Sequence, residues 1–147
     1  MGSGSAIPGI RRVLIVDDDV NLSALLQRKL KSLDLETEVA HTAAEADLKA
    51  LEKAYDLYLM DIRVPGRNGV EIARRFFDLR PSSRVIFMTA YETEDLFRMH
   101  PELAGWAVLK KPFQMATVHE EIVRLLEYGP PGLKEDGKSK TENGTGT

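Results

Sequence analysis

The chain has no cysteine, which excludes disulfides, thiolate metal sites and cysteine nucleophiles. No apolar run approaches the ~20 residues needed to span a bilayer, so no transmembrane helix is expected. Neither sign of charge dominates: 20 Lys and Arg stand against 23 Asp and Glu, a net charge of −3. That balance offers no broad basic field for nucleic acid or a membrane surface. Internal repeats are missing too, which excludes a solenoid. A cytoplasmic protein is expected.

What is present fits one folded unit. A chain of 147 residues, 43% apolar and 29% charged, suits a single soluble domain with a substantial core. "MGSGS" reads as a cloning remnant without a signal-peptide pattern, so residues 1–9 are set apart as a tag or disordered N-terminus. From Gly129, "GPPGLKEDGKSKTENGTGT" is nearly empty of large apolar residues, and 129–147 read as a flexible tail or linker. The domain itself is expected over 10–128.

Within it, short apolar runs alternate with helical patterns. Strands are expected at Val13–Val16, Thr37–Ala40, Leu57–Met60, Val85–Thr89 and Ala107–Leu109. A first helix carries Leu22, Leu25, Leu26, Leu30 and Leu33 on one face. "TAAE" at Thr42–Glu45 is a capping box opening a second, with Leu48 and Leu51 expected on its buried side. Asn68 caps a third helix, which carries Val70, Ile72, Ala73, Phe76 and Phe77. A fourth starts near Glu92–Asp95 and is cut short by Pro101. The fifth runs from about Met115 to Glu127, with Val118, Ile122, Leu125 and Leu126 inward. Five βα units in series predict an α/β fold, a doubly wound (βα)5 domain whose five-stranded parallel sheet has helices on both faces. Ligands bind such sheets beyond the carboxyl ends of the strands.

The residues at those ends are unusual. "VLIVDDDV" drives an apolar strand into Asp17, Asp18 and Asp19, although neighbouring carboxylates repel and resist burial without a partner. "LYLMD" ends in Asp61, "VIFMT" in Thr89 and "AVLKKPF" in Lys110, Lys111 and Pro112. Taken singly, each is an ordinary cap, turn or solvated group, and "PGRNG" at Pro65–Gly69 is first of all a turn. Four strands delivering acids, a hydroxyl and an ammonium to one rim suit phosphoryl transfer. Asp17, Asp18 and Asp61 offer the oxygen donors Mg²⁺ prefers, and Asp61 can act as nucleophile toward phosphorus. Thr89 and Lys111 are placed to hold phosphoryl oxygens.

The stretches "VLIVDDD", "LYLMDIRVPGRNG", "VIFMTAY" and "LKKPF" closely resemble the receiver domain of two-component response regulators, over about residues 10–128. The resemblance implies a flavodoxin-like sheet of order 2-1-3-4-5 and an aspartyl-phosphate switch dependent on Mg²⁺ (or Mn²⁺). It implies Asp61 as phosphoacceptor, Asp17 and Asp18 as the acidic metal pair, and the Arg63 backbone carbonyl as a further metal ligand. Thr89 resembles the switch hydroxyl and Lys111 the phosphate-binding lysine, with a cis Lys111–Pro112 bond. Asp19 reads better as the cap of helix 1.

Implied partners are a sensor histidine kinase or phosphotransfer protein, met near Asn21–Leu25 and the loop after strand 5, and an output domain in a longer parent. A phosphorylation-dependent homodimer is also implied. Direct nucleic-acid or membrane binding by this domain is not.

Two features tune that expectation. Many receivers carry Tyr or Phe where this chain has Val108; Trp106, on the same strand face, is expected to pack against helix 4 or 5. Arg63 and Tyr91, each two residues past a site residue, are expected to flank the phosphoryl group and slow its hydrolysis. The competing readings are a receiver-like interaction module that is never phosphorylated, and a haloacid-dehalogenase-type phosphatase. The second needs Thr or Val where "DDDVN" has Asn21, and it leaves Asp61 unexplained.

Overall fold

The computed structural model describes residues 7–128. Five strands, β1 (Arg12–Val16), β2 (Glu36–Ala40), β3 (Leu57–Asp61), β4 (Arg84–Thr89) and β5 (Ala107–Lys110), form one sheet in the order β2-β1-β3-β4-β5. All four pairings are parallel. The order and each strand position agree with expectation to within a residue at either end.

The intervening helices are α1 (Val20–Ser32), α2 (Ala43–Glu52), α3 (Gly69–Leu79), α4 (Thr93–Met99) and α5 (Met115–Tyr128). Alternation along the strands divides the core. Val13, Ile15, Leu57, Leu59, Ile86 and Met88 face the side covered by α1 and α5. Leu14, Val16, Tyr58, Met60, Val85 and Phe87 face α2, α3 and α4. The helices thus lie on both faces, as right-handed crossovers require.

Local chemistry sets the helix starts. Asp19 caps α1 by accepting from the Leu22 N–H at 3.0 Å. Thr42 caps α2 through the Glu45 N–H at 3.1 Å, while Glu45 reaches back to the His41 N–H at 2.7 Å. Asn68 caps α3 through the Val70 N–H at 2.6 Å. α4 spans 7 residues and gives way to a 3₁₀ turn at Pro101–Leu103, as Pro101 led us to expect.

Several expectations need correction. Leu48 and Leu51 point to solvent, at 62% and 71% exposed. α2 instead turns Ala43 and Ala46 inward, with Ala50 packed on the same core, so a row of small residues meets the sheet. Leu25 is also exposed; the α1 stripe runs through Leu22, Leu26, Leu30 and Leu33, leaving Leu25 about 100° round the helix from Leu26. Ile7, in the segment set apart as a tag, is 1% exposed within the α1–α5 core, and its carbonyl accepts from the Ile10 N–H at 3.2 Å. The fold therefore begins by Ile7. The tail expected over 129–147 lies outside the described residues.

β2 is one margin of the sheet, and it carries charge. Arg12 pairs with Glu36 at 3.1 Å, and Glu38 accepts from Lys49 at 3.2 Å and from Lys53.

Candidate functional site

β1, β3, β4 and the start of the loop after β5 bring their terminal side chains to one rim. Asp17 is fully buried and its backbone is pinned: its N–H donates to the Ala40 carbonyl at 3.0 Å. Its carbonyl accepts from His41 Nδ1 at 2.8 Å, so Nδ1 carries the proton. Asp61 is 7% exposed, and its Oδ1 accepts from the Arg63 N–H at 3.1 Å. Asp18 is exposed at the mouth. One carboxylate oxygen from each of Asp17, Asp18 and Asp61 lies within 4.8 Å of the others.

Lys111 answers part of that charge. Its Nζ donates to Asp17 Oδ2 at 2.8 Å and to Asp61 Oδ2 at 3.0 Å. Burial opposes the ammonium, yet the hydrogen bonds to Asp17 and Asp61 hold the Lys111 pKa above its ordinary value. Burial, and then the charge of Asp17, push Asp61 up to about 6 against the opposing Lys111 and Arg63 hydrogen bonds. Three carboxylates against one ammonium leave an anionic, oxygen-rich cleft. That donor set fits a divalent cation.

Lys111 is held by its backbone as well. Its N–H donates to the Thr89 carbonyl at 2.6 Å, and the Lys111–Pro112 bond is cis, as expected. Thr89 is buried, and its Oγ1 accepts from the Tyr91 N–H at 3.0 Å. The cleft around Asp61 is lined further by Arg63 and Tyr91, both anticipated, and by Arg67, Asn68 and His100, which were not. Arg67 and Asn68 belong to a two-rung hairpin, Arg63–Val64 against Arg67–Asn68, formed by the loop read as a turn. His100 arrives from the C-terminal end of α4.

α3 begins in contact with this strand end. The Gly69 N–H donates to the Ile62 carbonyl at 2.7 Å, and a Cβ on Gly69 would stand 2.0 Å from the Asp61 carbonyl oxygen. The glycine lets α3 start against the residue that carries the candidate nucleophile.

Residues 13–123 match the family model described as the response regulator receiver domain. The chain belongs to that family. Sporulation initiation phosphotransferase F of Bacillus subtilis is 31% identical over 116 residues, covering 78% of this chain and 93% of that protein.

Among solved structures, a CheY-like receiver domain protein from Methanospirillum hungatei superposes with a TM-score of 0.72 at 28% identity, over 81% of this chain and 95% of that one. TrrA of Thermotoga maritima, solved with Mg²⁺ and a beryllium fluoride, gives 0.68 at 28% identity, over 79% and 99% of the two chains. The chain spans only 19% and 28% of two longer curated relatives, both named as regulators. This receiver domain is thus the phosphoacceptor unit of a two-component system.

Trp106 lines a cleft with Leu96 and Phe97 of α4 and Leu125 of α5. The indole makes its ring contacts with Phe77 of α3, edge-on at 5.4 Å, and Phe87 of β4 at 5.3 Å. Val108 and Trp106 do share the same core face, as strand alternation requires.

Proposed function

We propose that Asp61 is the residue phosphorylated, that Asp17 and Asp18 hold the metal with Asp61 and the Arg63 carbonyl, and that Thr89 and Lys111 bind the phosphoryl oxygens. The observation that carries this reading is the Lys111 ammonium bridging Asp17 and Asp61 at hydrogen-bond distance. It puts a fixed cation beside one nucleophilic carboxylate, where charge develops during transfer. When bound, Mg²⁺ (or Mn²⁺) supplies positive charge against the carboxylates and the transferring oxygens.

Asp61 attacks phosphorus through a carboxylate oxygen, and the bond from phosphorus to the donor breaks; with a phosphohistidine donor the imidazole leaves. The buried Asp17 accepts a hydrogen bond from Lys111 and keeps the ammonium aimed at Asp61. Thr89 gives up its contact with the Tyr91 N–H when its hydroxyl turns to a phosphoryl oxygen.

The donor in the cell is read as a sensor histidine kinase or phosphotransfer protein, in the cytoplasm. The longer regulators among its relatives support an output domain in a longer parent, and phosphorylation is read as promoting a homodimer. No helix among the described residues is long and apolar enough to cross a membrane. The domain is read as a switch rather than a turnover enzyme.

Incubation with Mg²⁺ and acetyl phosphate, followed by intact mass, is expected to show one added phosphoryl group that Asp61→Asn removes. Modification surviving in Asp61→Asn, or none in the wild type, overturns the assignment. Tyr91 lines the same cleft, so Tyr91→Ala is expected to speed decay of phospho-Asp61 several-fold by admitting water. Unchanged decay in a phosphate-release assay removes Tyr91 as the shield.

A further inference from the structure

Arg67 lines the cleft that holds Asp61, Thr89 and Lys111, yet its guanidinium is held toward α2, where it pairs with Asp47 Oδ2. The same oxygen accepts from Arg75 Nη1 of α3 at 3.1 Å. Asp47 Oδ1 is buried without a hydrogen-bond partner. Two cations therefore share one oxygen, and Arg67 lacks the two-oxygen fork that makes arginine–carboxylate pairs strong. If Arg67 leaves, Arg75 still neutralises Asp47. The hairpin is meanwhile tied to α2 by the Ala43 N–H, which donates to the Pro65 carbonyl at 3.1 Å.

Phosphorylation changes the balance on the other side. A phosphoryl group carries a charge of about −2 and three strong acceptor oxygens at neutral pH. Lys111 also serves Asp17 and Asp61, so with Thr89 it answers only part of that charge and leaves acceptor positions for a second fixed cation. We infer that Arg67 is a second phosphoryl-binding residue, and that Asp47 is the positioning residue restraining it until Asp61 is phosphorylated. This rests on Asp61 being the phosphoacceptor. The arrangement gives α2 and α3 a connection to the site: the Asp47 contact is made in the unmodified state and exchanged in the modified one.

Calorimetric titration of the full chain with beryllofluoride and Mg²⁺ separates this from a simple strut between the hairpin and α2. Asp47→Asn is expected to tighten binding, and Arg67→Ala to weaken it about ten-fold, the scale of one charge-assisted hydrogen bond. Arg67→Lys, which keeps charge without the fork, falls between wild type and Arg67→Ala. The double variant follows Arg67→Ala, because Asp47 acts only through Arg67. A strut predicts weakening in both single variants, in step with lowered melting temperature; that result, or no change in either, overturns the inference. Wild-type protein that takes neither beryllofluoride nor a phosphoryl group would instead refute the Asp61 assignment.

Discussion

Gly69→Ala is expected to be the most damaging single-methyl change in the domain. The added Cβ meets the Asp61 carbonyl oxygen at 2.0 Å, the Asp61 carbonyl carbon at 2.9 Å and Ile62 Cα at 3.1 Å. All three are backbone atoms of β3 and its continuation, so no side chain can swing aside to make room. Either α3 moves away, exposing part of the Phe76 and Phe77 packing, or β3 shifts and takes Asp61 with it. The expected cost is about 4 kcal/mol or more, in the range reserved for severe overpacking. Urea denaturation reads it directly. Gly66→Ala provides the contrast: its Cβ finds only Ala43 Cβ at 3.4 Å, and the penalty comes from φ of +100°. That strain costs about 1 kcal/mol. Equal losses in the two variants would mean that the close approach at Gly69 is not what holds α3 in place.

The second large effect belongs to Lys111→Met. The substitution keeps much of the stem and removes the ammonium that Asp17 and Asp61 share. Asp17 is fully buried and Asp61 nearly so, and both lose their common counterion. Breaking a buried ion pair from one side costs about 3–5 kcal/mol, partly relieved here by protonation of Asp61. Melting temperature without metal is expected to fall, and Mg²⁺ is expected to recover part of the loss by neutralising the same carboxylates. Phosphorylation by acetyl phosphate is expected to slow by about 100-fold or more even with Mg²⁺ saturating, as for removal of a preorganised charge at a reacting centre. Near wild-type phosphorylation in this variant would deny Lys111 its part in the chemistry.

The sheet and the rim of the site were legible because four of the five strands are apolar runs that stop at a chemically marked residue, β2 being the exception. Asp17, Asp61, Thr89 and Lys111 all follow directly from such runs, and strand polarity alone brings them together. Capping residues made α2 and α3 equally readable at their starts. Side-chain partnerships across elements were harder. Arg67 meets Asp47 from a different βα unit, and no periodicity links them. His100 reaches the cleft from the position that follows α4, just before Pro101. α2 was read from its largest residues, whereas its inward face is a row of alanines, whose small volume carries a weak apolar signal. The ring contacts of Trp106 with Phe77 and Phe87 likewise join elements that no periodicity links.

The ionic fringe along β2 has a consequence for how this protein behaves at high concentration. An open sheet margin is a template on which foreign chains can polymerise, strand upon strand, into fibrous aggregates. Glu36 and Glu38, with Arg12, Lys49 and Lys53 folded over them, burden any such newcomer with stripping water from several ions before its first backbone bond forms. That margin is thereby kept from nucleating insoluble assemblies.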